Sequence, residues 1–173
     1  MFRSMRRCKQ QLSTEEASQI LKTGKTGVLG VIGDDGYPYT VPIDYIYAEG
    51  KIYFHGAKVG HKQDAIKQCN KVSFCVIEKD RVVPQKLTTY FRSVIIFGRA
   101  RRLETEKEIF HAAEILGLKF NPNKEVVDKE IKQEWGALSC MEIEIEHMTG
   151  KEAIELTRKR SRELGGLQPK NDG

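Results

Sequence analysis

The chain has 173 residues, 39% apolar and 31% charged, a composition ordinary for a soluble globular protein and a length suited to one well-buried domain rather than two. No apolar run approaches the roughly 18–20 residues needed to cross a bilayer as a helix, which excludes a membrane span. The net charge of +5 raises nucleic acid as a partner, but the basic residues gather in the two ends, Arg3 to Lys9 and Arg158 to Arg162, and in Arg99-Ala-Arg-Arg102. They do not share one element with interleaved aromatics, so nucleic-acid binding is disfavoured.

Residues 1–12 read as a basic arm. Its stretch Met1–Gln11 has no apolar core after it and is not a secretory leader, so the expected location is the cytoplasm. The cysteines, at 8, 69, 75 and 140, form no CxxC pair, which argues against a zinc site or a disulfide framework. Core packing is the favoured reading for Cys69 and Cys75.

A first helix is predicted from Thr14 to Lys22. Ser13 and Glu16 fit a capping box, Ala17, Ile20 and Leu21 make an apolar stripe, and Gly24 ends it. Gly27 to Ile32 reads as a strand buried on both faces, and Asp34-Asp-Gly36 supplies a hairpin turn. The next strand has a clear period of two. Tyr37, Tyr39, Val41, Ile43, Tyr45 and Tyr47 point one way, and Pro38, Thr40, Pro42 and Asp44 the other. Pro42 cannot donate to a ladder and marks an edge, a bulge or a non-strand neighbour. Glu49-Gly50 turns the chain into a strand from Lys51 to His55.

A helix over residues 61–68 precedes a strand from Lys71 to Ile77, a polar loop from Glu78 to Thr89 and a long strand from Tyr90 to Leu103. A second capping box, Thr105 and Glu108, opens a helix carrying Ile109, Ala112, Ala113 and Leu116. After the break at Asn121-Pro122-Asn123, a further helix places Val127, Ile131 and Trp135 on one face. The last strand, Ala137 to Glu146, alternates Met141, Ile143 and Ile145 with Glu142, Glu144 and Glu146, so one face is expected buried and the other wet. Residues 156–173 are polar and expected to be disordered. This leaves a single domain over residues 13–155. Its mostly antiparallel strands, with helices only at turns and ends, predict a mainly β fold, a six-stranded barrel with peripheral helices, and argue against a doubly wound α/β fold.

The chemistry concentrates in Ile52–Ile66, where a strand breaks at Gly56 and a helix starts near Gly60, with His55, Lys58, His61 and Lys62 alongside. Cations in a first helical turn oppose the macrodipole unless an anion is bound, and the unpaired amides there are themselves anion donors. The segment therefore reads as a grip for a phosphorylated ligand. The adjacent lysines disfavour a metal at His55 and His61. His55 is open to two readings, a half-buried residue on the wet face of its strand or a ligand contact with a reactive imidazole. Asp44 and Glu78 are lone carboxylates and no Ser-His-Asp order is present, so an enzyme built this way relies on a cofactor for its hard chemistry.

Four segments in register, Gly36–Ile43, Tyr53–Ala57, Gly60–Lys62 and Tyr90–Ala100, resemble the pyridoxamine 5′-phosphate oxidase-like flavoproteins, and within them the 5-nitroimidazole-resistance branch, over about residues 8–155. The resemblance implies an FMN-binding split β-barrel with FMN at a homodimer interface. It places Thr40, Val41, Pro42 and Ile43 along the isoalloxazine ring, with His55, Gly56 and Ala57 continuing that wall. Gly60, His61 and Lys62 would hold the phosphate, and Arg92, Ser93 and Val94 form a further contact segment, some contacts coming from the second subunit. His55 is the position matching a histidine linked to chemistry in that branch. The implied activity is an FMN-dependent oxidoreductase passing electrons to a small, nitroaromatic acceptor. The basic substrate-binding C-terminal segment of true pyridoxamine phosphate oxidases is not recognisable here. The remaining alternatives are a non-catalytic flavin- or haem-binding module and a relative using a deazaflavin.

Overall fold

A computed structural model describes residues 2–165. The expected strand from Tyr37 to Tyr47 is two strands, and this makes the sheet seven-stranded rather than six-stranded. β2 (Pro38–Asp44) pairs with β1 (Thr26–Ile32), whereas β3 (Ile46–Ala48) pairs with β4 (Lys51–Ala57). Between them Tyr45 is fully buried, donates its hydroxyl to the Leu21 carbonyl at 2.9 Å and sets its ring edge-on to Phe74. Side-chain alternation runs unbroken through this residue, so the pattern gives no sign that the chain has changed sheet edge.

All ladders are antiparallel, in the order β2-β1-β5-β6-β7-β4-β3, where β5 is Lys71–Val83, β6 Thr88–Arg102 and β7 Leu138–Glu152. The two edge strands are thus consecutive in the chain and joined by Tyr45 alone, which requires the sheet to curl until its edges meet. No ladder joins β2 to β3 among the described residues, so the barrel is not closed by hydrogen bonds.

The expected polar loop at Glu78–Thr89 is instead a hairpin. β5 (Lys71–Val83) and β6 (Thr88–Arg102) stay paired out to Val83 and Thr88 after a register shift between Ile77 and Lys79. β7 (Leu138–Glu152) pairs with β6 across a second shift at Phe97/Gly98. A Cβ on Gly98 would collide with the Glu144 carbonyl, so this irregularity needs a glycine.

Leu29, Phe74, Ile96, Met141 and Ile143 fill the inner face of the sheet, closed by Ile20 and Leu21 of α1 (Thr14–Thr23). Contrary to the reading of β1 as buried on both faces, Val28 and Ile32 lie on the outer face, 36% and 46% exposed. Cys75 on β5 and Cys69 are half-buried rather than core residues, while Cys140 is buried. The other side of β4 and β7 is covered by α3 (Glu106–Phe120) and α4 (Lys124–Glu134), which form a second cluster with Tyr53, Leu103 and Cys140. Glu142 is accordingly not on a wet face. It is buried there between Lys51 at 3.1 Å and Arg101 at 2.8 Å.

Residues 154–165, expected in part to be a disordered tail, form α5 (Ile154–Gly165). Arg160 ties it to Glu16 of α1 and to Glu152, which is only 3% exposed. The rest of that expectation, residues 166–173, lies outside the described residues. No described helix is long and apolar enough to cross a membrane.

Candidate functional site

β3 pairs only with Lys51–Tyr53, so the following half of β4, Phe54–Ala57, has β7 on one side and, among the described residues, no strand partner on the other. β2 comes alongside there without a ladder, and Asp44 and His55 line the same cavity. This gap is the seam of the curled sheet. Alternation along β4 then sorts its residues. Phe54 joins the inner core, whereas His55 and Ala57 face the side of α3 and α4.

After β4 the chain turns through Lys58–Gly60 into α2 (His61–Gln68). Gly60, the N-cap, has φ 132° and ψ 167°, a region essentially reserved for glycine. Among the described residues no side chain caps this helix, and the first-turn N–H groups of His61 and Lys62 have no intrahelical carbonyl to bond. Gln63 holds the turn by donating its side-chain amide to the Ala57 carbonyl at 2.9 Å.

Lys62 folds back over the strand. Its Nζ stands 5.3 Å from the Phe54 ring centre, and a Cβ on Gly56 would approach it to 3.1 Å. Burial pushes this ammonium below the ordinary lysine range, and no ion pair relieves it among the described residues. His61 packs against the β1–β2 hairpin, its ring stacked on Tyr39 at 4.2 Å and its Nε2 3.7 Å from Asp34 Oδ2.

The structure therefore brings Gly56, Gly60, His61 and Lys62 into one cluster, with His55 and Ala57 on the opposite face of the same strand. On β2, Thr40 and Pro42 lie on the outer face, opposite Gly30 and Val28, while Val41 and Ile43 turn to the inner core. Arg92, Ser93 and Val94 do not join the cluster within one chain. Val94 is fully buried, and the Arg92 guanidinium is engaged by Glu16, Glu78 and Glu152 at 3.3–3.4 Å. Ser93 lies on the outer face opposite Ile77. Along β6, Arg92 is about 23 Å from Arg99, the residue that binds Asn70 just beyond α2.

Two features of the site had no local signature. A cavity of about 720 Å³ opens between the end of β4 and the α3–α4 pair. Beside it Lys119, which in sequence is an unremarked cation near a helix C-terminus, reaches over the Tyr45 ring at 4.4 Å and donates to the carbonyls of Tyr45 and Gly24. Only the tertiary fold brings α3 to that junction.

Residues 13–152 match the sequence profile described as pyridoxamine 5′-phosphate oxidase. The chain belongs to this family. The matched span agrees with the extent of the resemblance noted in the sequence. No curated protein matches the sequence.

Solved structures share this oxidase-family fold. A conserved hypothetical protein from Mycobacterium tuberculosis superposes with a TM-score of 0.72 at 19% identity, covering 98% of each chain. A FAD- and haem-binding protein from Mycobacterium smegmatis gives 0.70 at 18% identity, covering 83% of this chain and 73% of that one. A protein from Bacteroides thetaiotaomicron, provisionally assigned to 5-nitroimidazole antibiotic resistance, gives 0.67 at 19% identity, covering 82% and 85%. At these identities the likeness is one of fold.

Proposed function

We propose that this member of the pyridoxamine 5′-phosphate oxidase family is a flavoprotein that holds FMN with its phosphate at Gly60–Lys62 and works as an oxidoreductase on a small, nitroaromatic-type acceptor. The observation that carries the reading is Lys62, a half-buried ammonium without a carboxylate partner among the described residues, beside the uncapped first turn of α2. Both features are unfavourable alone, and both become favourable when an anion is bound. The residues present thus fit a phosphate group.

When bound, the flavin supplies the transfer of electrons, as hydride or singly, that the side chains of this chain cannot perform. The chain's own contribution is binding and orientation. Gly60 and the His61 and Lys62 amides fix the phosphate, and Lys62 neutralises its charge. The unpaired edges of β2 at Thr40–Ile43 and of β4 at His55–Ala57 offer backbone donors and acceptors to a flat ring in the seam. His55, facing the cavity, is placed to hold or release a proton for a substrate bound there.

The working unit is a homodimer in this reading. Support comes from the outer face, where Val28, Ile32, Ile77, Ile95 and Phe97 are 36–59% exposed. A second copy covering that face is the reading's source for Arg92–Val94 contacts.

The absorption spectrum of purified protein tests the proposal. A flavin spectrum that NAD(P)H bleaches and a nitroaromatic restores is the expected result, and colourless protein that fails to take up added FMN overturns it. The names of the M. smegmatis protein and of the flavocytochrome from Azotobacter vinelandii make FAD and haem the alternatives. A Soret band, or FAD in the released cofactor, would identify them.

A further inference from the structure

β4 separates two environments of opposite charge. On one face lies Lys62 with the α2 amides, and on the other the 720 Å³ cavity reached by His55. The cavity walls are apolar, formed by Leu116 of α3, Val127 and Ile131 of α4, and Leu138 of β7. Its mouth holds two large apolar side chains left in solvent, Phe120 at 47% and Val126 at 48% exposure. The ionisable groups lining it are Asp44, Glu130, Glu134 and His55, with no lysine or arginine.

In a chain of net charge +5 this is a local reversal of sign. Asp44 accepts a hydrogen bond from the Thr26 hydroxyl at 2.7 Å and lies within the field of Lys119. Glu130 and Glu134 form no ion pair among the described residues. Of the three α4 lysines, none lines the cavity: Lys124 is taken by Glu114 and Asp128, and Lys132 lines a separate hollow with Trp135. An apolar slot whose rim carries Glu130 and Glu134 without ion-pair partners attracts a cation and repels an anion.

We infer that the cavity beside His55 is the substrate pocket and that it takes aromatic compounds bearing a protonated amine or basic nitrogen, discriminating against aromatic carboxylates and phosphates. This deepens the flavin reading and rests on it, since it names the substrate class for the same seam. The two sides of β4 then divide the work. The anionic cofactor is held from the α2 side, and the cationic or neutral substrate enters from the α3–α4 side, so neither competes for the other's charge.

The test is a matched pair of probes, 1-naphthylmethylamine and 1-naphthoate, titrated calorimetrically into the full chain while cofactor content is recorded on the same sample. The amine is expected to bind at least about tenfold more tightly than the carboxylate. The double variant Glu130→Gln/Glu134→Gln should erase most of that ratio. Val126→Trp, a change at an exposed mouth position, should weaken the amine without altering cofactor content. Equal affinities, binding of neither probe, or an unchanged ratio in the double variant overturns the inference. A fall in molecular mass caused by Val126→Trp also overturns it, by assigning the groove to a second copy of the chain. Lys62→Glu separates the two readings, because it should release FMN and leave the amine preference intact. If FMN fails to bind the parent chain while the amine preference holds, the cofactor reading fails and the pocket's selectivity stands.

Discussion

The Lys62 ammonium stands 5.3 Å from the centre of the Phe54 ring, pressed against the end of the inner core without an ion pair among the described residues. Burial lowers its affinity for a proton relative to the unfolded chain, whose lysine value is 10.5. Between the folded and unfolded values the unfolded chain binds more protons, so stability rises with pH in that window. In cofactor-free protein, Lys62→Met should therefore raise the melting temperature near neutral pH, and the difference should shrink as pH climbs towards 10.5. Calorimetric scans at several pH values check this, and adding FMN should reverse the order.

Gly60 carries the turn that aims α2 at the seam. Alanine at its φ of 132° is strained by about 1–3 kcal/mol. Gly60→Ala should lower stability by that amount in urea titrations and weaken FMN retention at the same time. Full retention in a destabilised variant would show that the turn matters only for the fold.

His55 faces the cavity rather than Lys62. His55→Ala should keep its flavin and lose turnover of a nitroaromatic by about a hundredfold or more, the scale of a lost proton donor. Stopped-flow kinetics separate the two effects, since reduction of the flavin by NAD(P)H should be less affected than its reoxidation by the acceptor.

Arg160 pins α5 to the body of the protein. Burial alone would raise the Glu16 carboxyl, but the Ser13 backbone N–H and the Arg160 guanidinium outweigh it and hold the group below the ordinary 4.5. The stabilisation from this lowered value is fully present above 4.5 and disappears as pH falls through the folded value. Arg160→Ala should cost about 1–3 kcal/mol at neutral pH, the worth of hydrogen bonds to charged groups. The penalty should fade in acid, which denaturation curves at neutral and acidic pH would reveal.

Tyr45→Phe removes one hydroxyl and leaves the Leu21 carbonyl without its buried donor. The expected loss is about 1–2 kcal/mol, measurable by urea titration, with flavin binding retained.

What could be read from the sequence was local. Both capping boxes, Ser13 with Glu16 and Thr105 with Glu108, form as expected because their partners sit three residues apart. Gly60 and Lys62 meet in one turn for the same reason. The break at Tyr45 was hidden, since a period of two is indifferent to which strand lies beside it. The β5–β6 extension was hidden because both strands are solvent-exposed, so pairing rather than burial decides their state. α5 is mostly polar and acquires its charged anchor from Glu16, more than a hundred residues earlier. The ion pairs of Arg92 were hidden for the same reason, because Glu16, Glu78 and Glu152 lie on other elements.

The placement of β2 and β3 at opposite edges of the sheet has a consequence for how the chain reaches its native state. The hairpins β1–β2 and β3–β4 can each start from a local turn, yet β4 acquires its second neighbour only from β7. On the ribosome, the first 57 residues must wait until residues 138–152 have emerged before that strand gains its β7 ladder. The seam, with the turn beside it, is thus among the last parts of the molecule to be completed, and a nascent chain stalled before β7 presents an unpaired strand edge of the kind chaperones retain.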